Sequence, residues 1–185
     1  MIVAGIDYSM TSPAVCFYDT DSEKFNYDSC VFHYLTQNKK YEVQFGNVYG
    51  HFFDYTSDFQ RYDLISSFFI DRILERGVEH VFIEDYSMGS KGKVFHIAEN
   101  TGILKYRLWL LEVKFTCVPP TVIKKFATGK GNSDKQKMQE SFESENSIRL
   151  KEELNMTEKQ WNPASDLIDA YYICKYGVNA LTSTI

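Results

Sequence analysis

The sequence lacks the features of zinc-binding, disulfide-stapled and membrane-spanning proteins. It contains four cysteines and no CxxC spacing, which argues against both a zinc site and a small disulfide scaffold. No apolar run approaches the roughly 20 residues that a membrane-spanning helix needs. We therefore expect a cytoplasmic protein whose cysteines are reduced and buried; they are Cys16, Cys30, Cys117 and Cys174.

A secretion signal is not expected either. The first apolar run, Ile2 to Ile6, follows no basic stretch and ends at Asp7. Proline and glycine are sparse, at 4 and 10 of 185 residues, whereas 44% of residues are hydrophobic and 16% aromatic. This composition is typical of a globular chain, and the length predicts a single domain spanning residues 1–185.

The chain also lacks an excess of positive charge. Its net charge is −5, from 20 basic and 25 acidic residues, whereas proteins that bind nucleic acid usually present a basic face. The charges are unevenly distributed, because residues 124–137 hold five lysines and a single acid, Asp134. An acidic chain can still present one basic groove.

Short apolar runs and helical periodicity alternate along the chain, and the final helix is expected from about Pro163 to Tyr176. They predict an α/β fold with a mixed five-stranded sheet, three antiparallel strands followed by two parallel ones. Residues 39–56 are rich in aromatics without clear periodicity, and we expect an ordered but irregular insertion there. The predicted strands are Ile2–Ile6, Ala14–Tyr18, Phe25–Leu35, His80–Glu84 and Lys114–Val118, and the main helices before the final one are Tyr62–Arg76 and Phe95–Leu111.

Carboxylates stand at the ends of two predicted strands and on the last helix. Asp7 ends the first strand and Glu84 the fourth, so the two acids emerge at one sheet edge if these strands are parallel neighbours. Asp166 and Asp169 lie three residues apart and share a helix face. Such a cluster repels itself unless cations neutralise it, and oxygen ligands select Mg²⁺, Mn²⁺ or Ca²⁺ rather than zinc.

Each acid alone has a simpler explanation. Asp7 could cap the turn after its strand, and Glu84 could be an ordinary acid at a solvated edge. Asp166 could cap the last helix while Asp169 complements its dipole. Their joint occurrence in this order favours a metal site.

The sequence resembles RuvC-type Holliday junction resolvases, within the ribonuclease H-like superfamily. The resemblance is carried by Gly5-Ile6-Asp7, Ile83-Glu84 and the segment Pro163 to Ala170. It implies a ribonuclease H-like fold, a homodimer, and paired symmetric nicking of four-way DNA junctions. It also implies that two magnesium ions, with manganese as a possible substitute, bind four carboxylates: Asp7, Glu84, Asp166 and Asp169.

The same resemblance implies several DNA contacts. A lysine-bearing segment before the last helix corresponds to Lys124, Lys125, Lys130 and Lys135. Independently of the family, Gly129 and Gly131 let the backbone approach a phosphate there. In the family, the loop after the second carboxylate inserts an aromatic or bulky side chain into the junction, and here this loop holds Tyr86 and Met88, followed by Lys91 and Lys93. Tyr86 could equally pack on the edge of the sheet.

The helix at 95–111 matches the family's dimer-forming helix, and we interpret His96 on it as structural. The segments 39–56 and 140–159 have no counterpart in the family. Small members of this kind occur in bacteriophages and other DNA viruses, so the resemblance favours a viral source. Two other functions stay open: a structure-selective nuclease for flaps and forks, and a non-catalytic protein that binds junctions.

Overall fold

The computed structural model describes residues 1–22, 24–86 and 94–183. These residues form seven strands and six α-helices, with one short 3-10 helix at Lys39–Tyr41. The strands are β1 Ile2–Asp7, β2 Ala14–Asp19, β3 Cys30–Thr36, β4 Gln44–Phe45, β5 Val48–Phe52, β6 His80–Glu84 and β7 Lys114–Val118. The helices are α1 Asp58–Arg76, α2 Val94–Leu110, α3 Pro120–Thr128, α4 Lys135–Asn146, α5 Leu150–Glu153 and α6 Ala164–Thr182.

All seven strands form one mixed sheet in the order β4-β5-β3-β2-β1-β6-β7. Strands β1, β2 and β3 pair antiparallel, and β1, β6 and β7 pair parallel. The predicted α/β class and its five strands are therefore confirmed. The sheet has two more strands than predicted, because β5 adds parallel to β3 and β4 adds antiparallel to β5.

The extra strands lie in residues 39–56, and the prediction of an irregular insertion there was wrong. Gly50 explains why the strand was hidden in the sequence. A Cβ atom at this position would lie 2.3 Å from the carbonyl oxygen of Tyr41 and 2.5 Å from the ring of Tyr34. The strand therefore needs a glycine at its centre, and a central glycine breaks the periodicity by which strands are recognised.

Helices cover both faces of the sheet. The amphipathic helix α1 and its neighbour α2 bury Ile65, Phe69 and Leu104 against one face, while α3, α4 and α6 pack on the other. Helix α1 begins where Ser57 accepts a hydrogen bond from the backbone N–H of Gln60. None of the described helices is long and apolar enough to cross a membrane.

Helix α6 approaches strand β1 very closely. A Cβ atom on Gly5 would lie 2.1 Å from the backbone nitrogen of Cys174 and 2.7 Å from the carbonyl oxygen of Ala170. Only glycine permits this distance between strand and helix. The contact sets the position of α6 relative to the end of β1, two residues further on.

The four cysteines are free. Cys16, Cys30 and Cys174 are buried as predicted, but Cys117 is only half-buried. Cys117 lies on β7, which is an edge strand of the sheet, so its side chain is covered less completely than those of the central strands. The prediction of a fully buried thiol was wrong at this position.

Candidate active site

Asp7 and Glu84 lie side by side at the end of the sheet where the parallel strands β1 and β6 finish. Strands β1 and β6 pair in parallel with Ile6 opposite Ile83, so the residues that end the two strands are neighbours. Asp7 is only 7% exposed, and Glu84 is half-buried. The sequence-predicted meeting of these two acids is present in the structure.

Helix α6 brings Asp166 and Asp169 to the same place. Asp166 is 4% exposed, and its Oδ2 accepts hydrogen bonds from Oγ of Ser12 at 2.5 Å and from Nδ2 of Asn162 at 2.6 Å. Asp169 is half-buried. All four predicted carboxylates therefore face one region, where the ends of β1 and β6 meet the first turns of α6.

The pKa values of these acids reflect how close the carboxylates lie to one another. Burial raises the pKa of Asp7 well above its usual value, and the negative charges of Asp166, Glu84 and Asp169 raise it further. Burial likewise raises the pKa of Asp169, with Glu84 and Asp166 acting in the same direction. The carboxylates thus repel one another in a poorly solvated place.

Neighbouring lysines and hydrogen-bond donors partly offset the rise in pKa of the other two acids. Burial raises the pKa of Glu84 to about 7, against the positive charges of Lys124 and Lys135. Burial raises the pKa of Asp166 to about 6, although the hydrogen bond from Ser12 and the charge of Lys135 lower it. Without a further cation, the group holds protons near neutral pH.

The available donor atoms are typical of a binding site for a hard divalent cation. Four carboxylates and no thiolate or imidazole contribute, and clustered carboxylate oxygens select magnesium, manganese or calcium. As the side chains stand, no three His, Cys, Asp or Glu residues in the described ranges are arranged to hold a metal ion. Binding therefore requires some of the carboxylates to turn toward a common centre.

Of the four lysines predicted on the segment before the last helix, two lie beside the carboxylates. Lys135 Nζ donates to Oγ of Ser165 at 3.1 Å and to Oδ1 of Asn162 at 3.3 Å. The charges of Lys124 and Lys135 both lower the pKa of Asp169. Lys125 and Lys130 lie on the same segment and, like Lys135, are exposed.

A cleft of about 620 Å³ opens beside the carboxylates, between the first turns of α1 and α2. Asp7 and Glu84 form part of its wall, together with Tyr86. The ammonium group of Lys105 lies 4.5 Å from the centre of the Tyr86 ring. The other residues expected in the loop after Glu84, namely Met88, Lys91 and Lys93, lie outside the described residues.

His96 lies at the same cleft. Its Nδ1 is 3.0 Å from the hydroxyl of Tyr62, an α1 residue that is buried. The bond links α2 to α1, which accords with the structural interpretation of His96.

Sequence reasoning missed four residues at this site. Ser12 and Asn162 bind Asp166, and Tyr55 and Arg61 line the cleft. Only Asn162 had a usable signal, because a residue four positions before an acid at the start of a helix can reach that acid. Ser12 lies 154 residues from Asp166, the acid that it bonds, and Tyr55 and Arg61 belong to other segments of the chain, so only the fold brings these residues to the site.

Comparison with solved structures identifies the architecture. The structure of Thermus thermophilus RuvC in complex with Holliday junction substrate matches with a TM-score of 0.65 and 14% identity, covering 100% of this chain and 97% of that one. The chain has the RuvC fold. The resemblance seen in the sequence is thereby confirmed at the level of the fold.

Two resolvases from eukaryotic and viral sources share this RuvC fold. The yeast mitochondrial Holliday junction resolvase matches with a TM-score of 0.55 and 16% identity over 99% of this chain and 84% of that one. The fowlpox virus resolvase, in complex with substrate Holliday junction DNA, matches with a TM-score of 0.52 and 13% identity over 98% and 99%. No family model and no curated protein matches the sequence.

Proposed function

We propose that the chain is a divalent-metal-dependent endodeoxyribonuclease that resolves four-way DNA junctions by paired symmetric nicks. The observation that carries the proposal is the gathering of Asp7, Glu84, Asp166 and Asp169 by β1, β6 and α6. This gathering lies in a fold that the chain shares with Holliday junction resolvases. Acids so close together and so poorly solvated are unfavourable unless they serve a cation.

The four carboxylates would hold two Mg²⁺ ions, or Mn²⁺ in their place. When bound, such a pair supplies activation of water and stabilises both the attacking and the leaving oxygen of a phosphodiester. The chain's own residues set up this chemistry. Ser12 and Asn162 fix the carboxylate of Asp166, and the chain thereby orients one ligand before any cation arrives.

Lysines would hold the cleaved strand in place. Lys124 and Lys135 lie close enough to the carboxylates to lower their pKa values, so they would meet the phosphate that reacts. Lys125 and Lys130 are exposed further along the same segment and would meet neighbouring phosphates, as would Lys91 and Lys93. Phosphate contacts position DNA without reading its sequence.

A homodimer would supply the two active sites that paired nicks require. Helix α2 carries an exposed apolar face at helical spacing, with Phe95 81%, Tyr106 59%, Trp109 67% and Leu110 55% exposed. Gly102 is also exposed on α2, and the space beside it is open, because a Cβ atom there would meet nothing within 4 Å. Exposed apolar residues gathered on one helix mark a protein interface, and we assign this surface to a second copy of this chain.

The dimer is tested by sedimentation of two matched variants. Leu110→Glu places a charge on the α2 face, whereas Leu74→Glu places one at a similarly exposed leucine of α1, at 52% against 55%. We expect Leu110→Glu to be a monomer and Leu74→Glu to remain a dimer. A monomeric parent chain at micromolar concentration would contradict the assignment.

The function is tested by cleavage of a labelled mobile four-way junction in Mg²⁺, beside a flap, a fork and a linear duplex. The control is Asp166→Asn, whose amide oxygen can still accept the bonds from Ser12 and Asn162 and so preserves the local structure. Paired symmetric nicks at the junction alone are expected. Equal cutting of flaps and forks would instead indicate a structure-selective nuclease, and junction binding without any cutting would indicate a binding protein.

A further inference from the structure

The cleft beside the carboxylates has a lining unlike that of a phosphate groove. Its volume is about 620 Å³, within the range of roughly 300–1,000 Å³ in which proteins bind single small molecules. The wall includes Tyr8, Met10, Tyr55, Tyr86 and Ile97. An opening of this size and composition fits one flat, partly apolar group and is too small for a duplex.

Arg61 supplies the cleft's permanent positive charge among the described lining residues. Its guanidinium carbon lies 4.7 Å from the centre of the Tyr55 ring, and Nη2 donates to the backbone carbonyl of Met10. No carboxylate of the described residues lies within 4.0 Å of it as a salt-bridge partner, and its Nε is buried without a hydrogen-bond partner. The group is held in place but not neutralised.

The other charged groups on the wall oppose phosphate. Besides Asp7 and Glu84, which the proposed function assigns to the metal ions, Asp58 and Asp85 contribute to the lining, so a phosphate beyond the metal site would meet two further carboxylates. A nucleobase carries no charge, presents a flat face for stacking, and has oxygen and nitrogen atoms that a guanidinium can bond. The chemistry of the wall therefore favours a base over a phosphate.

We infer that this cleft takes up one unpaired base of the cleaved strand, stacked against the Tyr55 and Arg61 pair. Asp7 and Glu84 form part of the same wall, so the base belongs to a nucleotide next to the phosphate that is cut. The inference rests on the proposed function. It adds a positioning site: the base is withdrawn from the stack, and its own phosphate is thereby held against the carboxylates.

A branched substrate makes this withdrawal easier. Extruding a base requires unpairing and unstacking, which is least unfavourable where pairing is already broken, as at a crossover point. An intact duplex would have to lose a base pair before it could place a base in the cleft. The site therefore discriminates between branched and linear DNA without reading more than one base.

The test measures binding of the Asp166→Asn protein, in Mg²⁺, to junctions carrying a single abasic site at each nucleotide around the crossover in turn. Adding Tyr55→Ala should raise the dissociation constant for the intact junction by about 5- to 150-fold, the effect of removing one base–aromatic stack. At one abasic position the same substitution should have less than a twofold effect, because the base is already gone. Tyr55→Phe, which keeps the ring, should bind as the parent does.

Phe59→Ala is the matched control. Phe59 is an aromatic residue in the first turn of α1, is 78% exposed and does not line the cleft, so its loss should leave every dissociation constant within twofold. An equal loss of affinity on all abasic junctions after Tyr55→Ala, or no loss on the intact one, would overturn the inference. Either result leaves junction cleavage by the parent chain untouched, whereas a protein that binds junctions no better than linear duplex would overturn the proposed function together with this site.

Discussion

Nδ2 of Asn162 donates a hydrogen bond of 2.6 Å to Oδ2 of Asp166, one helical turn ahead of it. Oγ of Ser12, 154 residues away along the chain, donates to the same oxygen, and Nδ2 of Asn162 also reaches Oγ of Ser12 at 2.8 Å. The three side chains form a closed triangle. One carboxylate of the candidate metal site is thus fixed by donors from both ends of the chain.

Removing a donor from this triangle should weaken the metal site without removing a ligand. We expect Asn162→Ala to raise the Mg²⁺ concentration for half-maximal cleavage by about 10- to 100-fold, the usual effect of losing a bond to a metal ligand. A magnesium titration of junction cleavage measures it. Asn179→Ala changes an exposed asparagine further along α6 and should leave the titration unchanged; an identical titration for Asn162→Ala would contradict the role.

Neutralising a carboxylate should separate binding from chemistry. Asp7→Asn and Glu84→Gln are expected to abolish cleavage while junction binding is retained or strengthened, because each removes a negative charge near the phosphate backbone. A gel-shift titration and a cleavage assay on the same junction distinguish the two effects. Cleavage at a near-normal rate by either variant would show that the metal-site assignment is wrong.

The acids should also make the metal-free protein sensitive to pH. Burial raises the pKa of Glu84 to about 7, so the folded state binds this proton more tightly than the unfolded state does. The free energy of unfolding therefore falls as pH rises from about 4.5 toward 7. One pKa unit corresponds to about 1.4 kcal/mol, and partial solvation of Glu84 reduces the total to about 1–2 kcal/mol.

Denaturant unfolding in EDTA at pH 5 and pH 8 measures this effect. Between pH 5 and pH 8, the free energy of unfolding of Glu84→Gln should fall by about 1–2 kcal/mol less than that of the parent, since the substituted glutamine side chain does not titrate. Asp28→Asn, which changes an exposed acid, should follow the parent. A Glu84→Gln variant with the parent's pH dependence would refute the electrostatic account of the cluster.

Two lysines of the same segment should have different effects. Lys135 lies beside the carboxylates and bonds Ser165, so Lys135→Ala should lower the cleavage rate even at saturating protein. Lys130 is exposed, as Lys135 is, but its ammonium group has no hydrogen bond to the described residues beside the acids, so Lys130→Ala should weaken binding alone and reduce its salt dependence by the contribution of about one phosphate contact. Single-turnover rates and binding at several salt concentrations separate the two. Equal behaviour of both variants would remove Lys135 from the reaction centre.

Gly5 connects stability to the geometry of the site. Because a Cβ atom there would lie 2.1 Å from the backbone of Cys174, Gly5→Ala must push α6 away from β1. We expect a loss of at least about 1–3 kcal/mol in the free energy of unfolding, typical of overpacking in a core, and loss of cleavage in molecules that remain folded. Denaturant unfolding with circular dichroism measures the first effect; an unchanged midpoint would contradict the close approach.

Much of the fold was predictable because its signals are local. The run Ile2–Ile6 ending at Asp7, and the spacing of Asp166 and Asp169, are visible within single elements. What the sequence could not indicate depends on distant contacts. The bond between Ser12 and Asp166 joins residues 154 positions apart, and β5 forms around Gly50, whose role is visible only once Tyr34 and Tyr41 lie against it.

The cleft is the other part of the site that sequence reasoning could not find. Tyr55 belongs to a segment predicted to be irregular, and Arg61 lies in the first turns of α1, four residues into the helix and ahead of its predicted start. Strand β5 finishes at the same end of the sheet as β1, so the chain that follows it brings Tyr55 and Arg61 to the end where Asp7 and Glu84 lie. The two added strands thus place the aromatic wall beside the acids.

The order of the acids along the chain has a consequence for when the protein becomes active. Asp7 and Glu84 are synthesised early, whereas Asp166 and Asp169 belong to α6, which must dock on β1 before the four acids meet. A ribosome-bound chain that has not reached residue 166 holds only two of the four acids. Under the proposed function, DNA cleavage is expected only after translation has passed the last acid and α6 has docked, so an incomplete chain should not cut DNA.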